Sequence, residues 1–474
     1  MATDLRRLGS ILGLLLLAAP ACATGQSRDF ARLHELTDMP LPSAYDAVDA
    51  EPSAELEQLL DGPLDVDTAV EVAILNNREI RATLRELGVE RGMLMDARAV
   101  PNPTVELEVL PERDSDFELR AEYEISELIL APLRAKVARS ELDAARYEAA
   151  VELVMLGYRV RAAFYGMQAA HERLAVAQRR LDALAAARDA AVALADAGSI
   201  NALESASKVV SYERARLSVS ALELELADRR EALQRLLGLH GEQAGWGIDD
   251  PLPALPDAPP AIEDLENKAI AASLELAASR SELDALARRT GLERTEGWLP
   301  EIAVDYHALV GTPPDSPQLG GVRTGAGVSL SVPLFNQNRG QTRAAEAAFD
   351  GRLERHIGLS VDIRSAAREL GNRLRAHHGA ARHIAEVVLP AQRRVLDETL
   401  LQYNAMQIGV FELLAAEQAV LDVELAELSA RADYWTTAAA YTALLAGARV
   451  DKRGHENQAN SLEPMSGGEV GGGH

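Results

Sequence analysis

The stretch Gly327–Ala348, GVSLSVPLFNQNRGQTRAAEAA, changes period in the middle. Val328, Leu330 and Val332 alternate with Ser329 and Ser331, which is the two-residue period of a strand with one apolar face. After Pro333 the text turns to Ala, Arg and Glu at helical spacing. Pro333 has no N–H to give a sheet ladder, so the strand is expected to end there and the chain to bend toward a helix. Asn336 and Asn338 supply side-chain groups for the loose backbone of that bend. Nearly everything around this stretch is Ala, Leu, Glu and Arg, so the question is what architecture needs an isolated strand feeding a long helix.

An internal duplication gives the answer. TVELEVLP and DSDFELRAEYEI carry the same alternation near the start of the chain, through Val105, Leu107, Val109, Phe117, Leu119, Ala121 and Tyr123. EIAVDY, with Ile302, Val304 and Tyr306, is their later counterpart. Pro300 follows Pro103 by 197 residues, Arg343 follows Arg139 by 204, Glu412 follows Glu204 by 208, and Gly447 follows Gly238 by 209. The drift falls mostly across VGTPPDSPQLGGVRTG, read as a loop insertion in the second copy. Each copy reads helix, strand, strand, long helix, turn, helix. The first helix is expected to start at Asp65 or Asp67 and to end at the prolines of VPNPTV. A proline-free run from about Leu133 to Ala197 predicts a rod of about 95 Å. After Gly198 a second rod from about Ala202 to Leu237 returns as the other arm of a helical hairpin.

Composition narrows the class. The 474 residues are 4% aromatic with a formal net charge of −25, which disfavours nucleic-acid binding and fits a solvated surface or a path for cations. Arg6 and Arg7 precede the apolar run ILGLLLLAAPA, too short to span a membrane and suited to an export signal. Two processing readings stand: cleavage after the small-x-small triplet Ala21, Cys22, Ala23, or a poor lipobox that makes Cys22 a lipidated N-terminus. The expected organisation is a signal peptide over 1–23, an extended N-terminal segment over 24–62, one repeat over 63–240, a Pro-rich linker over 241–262, a second repeat over 263–448 and a flexible tail over 449–474.

Four alternating strands with one face in lipid cannot stand alone, because unpaired edge groups in hydrocarbon cost several kcal/mol each. Closure must come from other copies, and long helices then carry the channel away from the membrane. The residues that bear this out as a pattern, VSLSVPLFNQNRGQ, PNPTVELEV, AGSINALESAS, YNAMQIGVFELLAAEQ and DYWTTAAAYTALLAG, resemble the TolC-like outer-membrane efflux proteins, and the resemblance covers nearly the whole mature chain. PLFNQNRGQ and YNAMQIGVFELL are most similar to the branch associated with cobalt, zinc, cadmium or copper export. The resemblance implies a mainly helical chain with membrane β: a homotrimer whose long α-helical barrel continues a 12-stranded barrel, four strands per protomer, in outer-membrane lipid. It also implies a periplasmic adaptor protein and an inner-membrane pump as partners. The turn departs from the family's commoner YxxG by placing Met406 after Tyr403, with Gly409 later.

At the far end of the rods, Glu204 and Glu412 occupy equivalent repeat positions just past the turns AGSINALES and MQIGVFELL. In the resemblance Glu412 matches an acidic position lining a narrow periplasmic entrance, and Tyr403 is a candidate gate contact. The alternative reading of both carboxylates is ordinary placement near a helix N-terminus, where Glu is favoured. His377, His378 and His383 share one helix, but about 140° of rotation separates 378 from 383, and a solvated surface is the plainer reading than a metal site. His455, Met465 and His474 lie in the Gly-rich tail. Trp298, just before a strand, fits either a membrane interface or ordinary packing. No HExxH, GxSxG or phosphate loop appears, so neither an enzyme nor a cofactor is expected. The competing class is a structural periplasmic coiled-coil or adaptor protein, which explains the rods and the export signal but not four strands placed equivalently in two repeats.

Overall fold

A computed structural model describes residues 23–41, 54–110, 116–311 and 321–450. Its contacts divide the chain into two units: Met1–Ala82, Ala150–Leu274 and Asp362–His474 form the first, and Thr83–Ala149 and Glu275–Val361 the second. The described helices are α1 (Ala23–Thr37), α2 (Ala54–Leu59), α3 (Val66–Asn76), α4 (Arg78–Arg98), α5 (Ile125–Asp196), α6 (Ala202–Leu237), α7 (Leu265–Ala272), α8 (Leu274–Glu296), α9 (Arg339–His383), α10 (Leu389–Asn404) and α11 (Val410–Leu445). The strands are β1 (Thr104–Leu110), β2 (Asp116–Glu124), β3 (Glu301–Gly311) and β4 (Gly321–Ser331).

The second unit holds the sheet. Its order is β1-β2-β3-β4, and every neighbouring pair is antiparallel. β1 starts directly after Pro103 and β3 directly after Pro300, so the two copies begin their hairpins in the same way. They end differently. β2 passes without a break into α5, which starts at Ile125 rather than near Leu133 and tolerates Pro132 in its early turns. β4 is followed instead by an irregular segment, 332–338, before α9 begins. Val332, expected in the strand, belongs to that segment. The expected loop over 310–325 is shorter than the sequence suggests: β3 extends to Gly311 and β4 starts at Gly321. Cross-strand pairing extends both strands through Gly, Arg and Thr residues that carry no apolar alternation.

In the first unit, the duplication is visible as a pair of matched clamps. The single helix expected from Asp65 breaks at Asn77, whose backbone is extended, with Asp65 capping α3 through Thr68 N at 2.7 Å. Its counterpart, 196 residues later, is the extended Ser273 between α7 and α8. Each break faces the glycine that closes its own repeat. Gly238 caps α6 with φ +71, and a Cβ there would lie 2.6 Å from the Asn76 carbonyl oxygen. Gly447 has φ +100, and its Cβ would lie 2.4 Å from the Ala272 carbonyl oxygen. Asn76 Nδ2 donates to the Gly238 carbonyl at 2.7 Å, and Asn77 Nδ2 to Leu236 at 2.8 Å; the second copy uses the Leu274 N–H to the Gly447 carbonyl at 2.9 Å. The helix breaks free backbone donors and acceptors, and the closing turns use them.

Two further segments depart from their sequence readings. The N-terminal segment over 24–62 is not extended throughout: α1 and α2 lie in it, with Phe30, Leu33 and Leu56 buried. Phe30 and Leu33 stand one turn apart, enough to give a short helix an apolar face. The Pro-rich segment after Gly241 is a strap tied along its length. Gln168 Nε2 donates to the Asp250 carbonyl, the Leu252 N–H to Glu172, Trp435 Nε1 to the Pro253 carbonyl and Tyr441 to the Ala261 carbonyl. Prolines hold this strap extended without spending N–H groups that would need partners.

The clamp geometry makes a differential prediction. Gly447→Ala places a methyl group inside the Ala272 carbonyl at a left-handed φ and should cost about 3 kcal/mol or more. Gly198→Ala, at φ +72 with nothing within 4 Å of its Cβ, should cost only about 1–2 kcal/mol. Thermal unfolding followed by circular dichroism in detergent measures the difference; equal losses would mean the clamp does not hold the helix break.

Candidate functional site: a sheet with one charged face and a helical tip

Register sorts the sheet into two chemically opposite faces. Val105, Leu107 and Val109 pair with Ala121, Leu119 and Phe117. Leu119, Ala121 and Tyr123 continue to Ala308, Tyr306 and Val304, and Tyr306, Val304 and Ile302 to Ala326, Val328 and Leu330. No charged residue stands in these rows. Val105, Leu107, Val328 and Leu330 are exposed, which in water would be an aggregation hazard and in hydrocarbon is the required surface. The alternate rows carry Glu106, Glu108, Glu118, Arg120, Glu122, Glu124, Glu301, Asp305, His307 and Arg323. Arg120 pairs with Glu118 at 3.2 Å and Glu106 at 3.8 Å. A sheet charged on one side and apolar on the other is a wall between lipid and an aqueous lumen.

The bend after β4 is built by its asparagines. Asn338 has φ +55; its N–H donates to Asn336 Oδ1 at 3.2 Å, and its Nδ2 to the Glu293 carbonyl at 3.1 Å and carboxylate at 2.7 Å. Pro333 stands at its start, while Leu334 and the fully exposed Phe335 project from it. Trp298, in the same unit, is 70% exposed. No helix among the described residues is long and apolar enough to cross a membrane.

In the first unit, the two turns start their helices differently: Asn201 caps α6 with its side chain, whereas Gly409 before α11 makes no side-chain cap. Asn201 Oδ1 accepts the Glu204 N–H at 2.9 Å, which puts Glu204 at the third position of α6. Glu412 is the third residue of α11, and its carboxylate reaches back to Gly409. Lys208 Nζ lies 4.7 Å from the Phe411 ring centroid, so the two helix starts touch. Both glutamates are exposed; Tyr403 is 37% exposed and its carbonyl accepts the Met406 N–H, with Met406 at φ +57. Met406 thus takes the left-handed position that a glycine usually fills.

The histidine group is structural where it is buried. His378 Nε2 bonds the Pro256 carbonyl at 2.8 Å and stacks edge-on against Tyr434, and His377 Nδ1 lies 2.9 Å from Thr437 Oγ1. Nearby, burial pushes the Asp433 carboxyl above its usual range even with His377 and Arg173 beside it. Glu427 is pushed up by burial in the same way, against the pull of Arg431. Sequence reading missed this partly desolvated ionic group, since Asp, Glu and Arg are too common in the chain to mark it. Cys22, His455, Met465 and His474 lie outside the described residues.

Comparison with known proteins agrees with this geometry. The chain is 25% identical over 372 residues to the cobalt-zinc-cadmium resistance protein CzcC of Cupriavidus metallidurans, covering 77% of this chain and 85% of that protein. Among solved structures, the Vibrio cholerae outer membrane protein VceC matches with a TM-score of 0.66 at 15% identity, over 83% of this chain and 97% of that one. CusC, described with transmembrane channel formation, matches with a TM-score of 0.64 at 17% identity, over 86% and 97%. No protein-family model matches the chain. The fold is that of an outer-membrane channel protomer. The chain is similar to the TolC-like outer-membrane efflux proteins in fold and, through CzcC, in sequence.

Two measurements test this description. Arg at Leu119 or Val304 should cost about 2–4 kcal/mol of folding stability in a bilayer, whereas Glu122→Arg should be tolerated; equal tolerance would put the wrong face to lipid. Because the folded pKa of Asp433 is raised, the folded state binds its proton more tightly than the unfolded one. Its burial penalty is therefore present at high pH and relieved as pH falls through the folded pKa. Asp433→Asn should accordingly raise the unfolding temperature more at pH 8 than at pH 5.

Proposed function

We propose that three copies of this chain close into one conduit that carries divalent metal cations from a periplasmic adaptor and inner-membrane pump across the outer membrane. The observation that carries this reading is the sheet with a charge-free face and two free edges. Among the described residues β1 and β4 each have a neighbour on one side only, and in lipid such edges must be paired. A homotrimer pairs β4 of one copy with β1 of the next and yields a 12-stranded barrel.

The helices support the same count of copies. On α6, Leu203, Val210, Leu217 and Leu224 recur every seven residues and all are exposed, Leu203 by 81%. That is an unpartnered coiled-coil seam, whose natural occupant is a helix of a neighbouring copy. A soluble adaptor or scaffold has no use for the four-stranded sheet with its uncharged outer rows.

The cargo assignment rests on charge and on likeness. The inward rows of the sheet are dominated by carboxylates, and acidic linings favour cations over anions. CzcC is named for resistance to cobalt, zinc and cadmium. A conduit takes its final specificity from its pump, so the chain's own contribution is the electrostatic filter. We assign the narrowest part of that filter to the tip, where Glu412 and Glu204 stand at equivalent positions, with Tyr403 as a gate contact and Pro333, Asn336 and Asn338 as the turn into the helical section.

Conductance of the purified trimer in planar bilayers tests the assignment. Glu412→Gln should lower cation selectivity and weaken block by multivalent cations, with a smaller effect from Glu204→Gln. A channel that opens normally with unchanged selectivity in both variants would remove the ring and leave the channel.

A further inference from the structure

We propose that His307 is a contact point for borderline transition-metal cations inside the barrel, with its ring oriented by Asp305 and given room by Gly325. The inference rests on the channel reading, since it needs the charged face of the sheet to line the lumen.

His307 and Asp305 stand two residues apart on β3 and therefore on one face, the charged one. His307 Nδ1 lies 3.4 Å from Asp305 Oδ2. When Nδ1 donates to that carboxylate, the lone pair is on Nε2. A carboxylate behind an imidazole is the arrangement that fixes the tautomer and raises the basicity of metal-binding histidines. Across β4, the register partner of His307 is Gly325 and that of Asp305 is Gly327. A Cβ on residue 325 would lie 2.3 Å from His307 Nε2, and one on residue 327 would lie 2.4 Å from Asp305 Oδ1. Both side chains lie directly over glycines, and a side chain at 325 or 327 would displace the imidazole or the carboxylate. The His307 side chain stays 45% exposed.

The neighbours across β2 suit a cation. Glu122 is the register partner of Asp305, and like charges directly opposite on a sheet repel unless a cation stands near them. Arg120, the partner of His307, has its charge engaged by Glu118 and Glu106. Among the described residues no three His, Cys, Asp or Glu side chains converge on one metal position, so each protomer offers one imidazole and water completes the coordination shell. That weakness is functional in a conduit, where binding must be strong enough to admit an ion and weak enough to release it. The chemistry selects the ion: imidazole suits zinc, cobalt, nickel and copper, whereas magnesium and calcium prefer oxygen.

The test compares Zn²⁺ and Mg²⁺ as blockers of KCl conductance through the full-length trimer in planar bilayers. Wild type should be blocked by Zn²⁺ at lower concentration than by Mg²⁺. His307→Ala should raise the half-blocking Zn²⁺ concentration about tenfold while leaving KCl conductance and Mg²⁺ block unchanged. His307→Gln, which keeps a polar side chain without the ring, should do the same and stands in if the alanine variant does not assemble. Asp305→Asn should lower Zn²⁺ sensitivity more than Mg²⁺ sensitivity. A conducting His307 variant with unaltered Zn²⁺ block, or a wild type that does not distinguish the two ions, overturns the site and leaves the channel intact. A trimer that conducts nothing overturns the channel reading and the site with it.

Discussion

A backbone N–H or C=O in hydrocarbon has no water to bond, and this chain presents two rows of them along the outer edges of β1 and β4. Everything else follows from that constraint. The sheet cannot close by itself with four strands, so its copies must supply the missing pairs. In the proposed trimer closure comes from other copies, so each strand can carry a face with no charge at all, and each helix can leave apolar residues such as Leu217 unburied in the single chain.

The first unit faces the opposite problem, which is to hold long helices in fixed register with few aromatic side chains. It does so with polar groups placed where helices stop. The breaks at Asn77 and Ser273 expose backbone that the closing turns at Gly238 and Gly447 take up. The Pro-rich strap from Pro251 to Ala261 meets side chains from Gln168, Glu172, His378, Trp435 and Tyr441. Partly desolvated carboxylates such as Asp433 and Glu427 are costly there, and arginines beside them offset part of that cost. Duplication made this construction possible, since one clamp design serves twice.

The wall of the sheet joins structure to transport. Alternation along β1 to β4 sends one set of side chains to lipid and the other to water, so the same two-residue period that stabilises the barrel also sets the charge of its lumen. Placing His307 and Asp305 opposite two glycines uses that period a second time, giving bulky polar groups room on the charged face.

Alternation and duplication were legible in the chain alone: the strand rows through Leu107, Leu119, Val304 and Val328, the turn glycines and the equivalence of Glu204 with Glu412 all follow from spacing. Period is a local property, and residues two or four apart report it without knowledge of what they pack against. Tertiary structure alone decided the helix breaks at Asn77 and Ser273, the true ends of β3 and β4, and the packing of His378. Each depends on a partner distant in sequence: a closing glycine more than 150 residues away, a strand across the sheet, or a strap carbonyl. The glycine windows at Gly325 and Gly327 are the clearest case, because a glycine in a strand reads as weakness until the side chain lying over it is known.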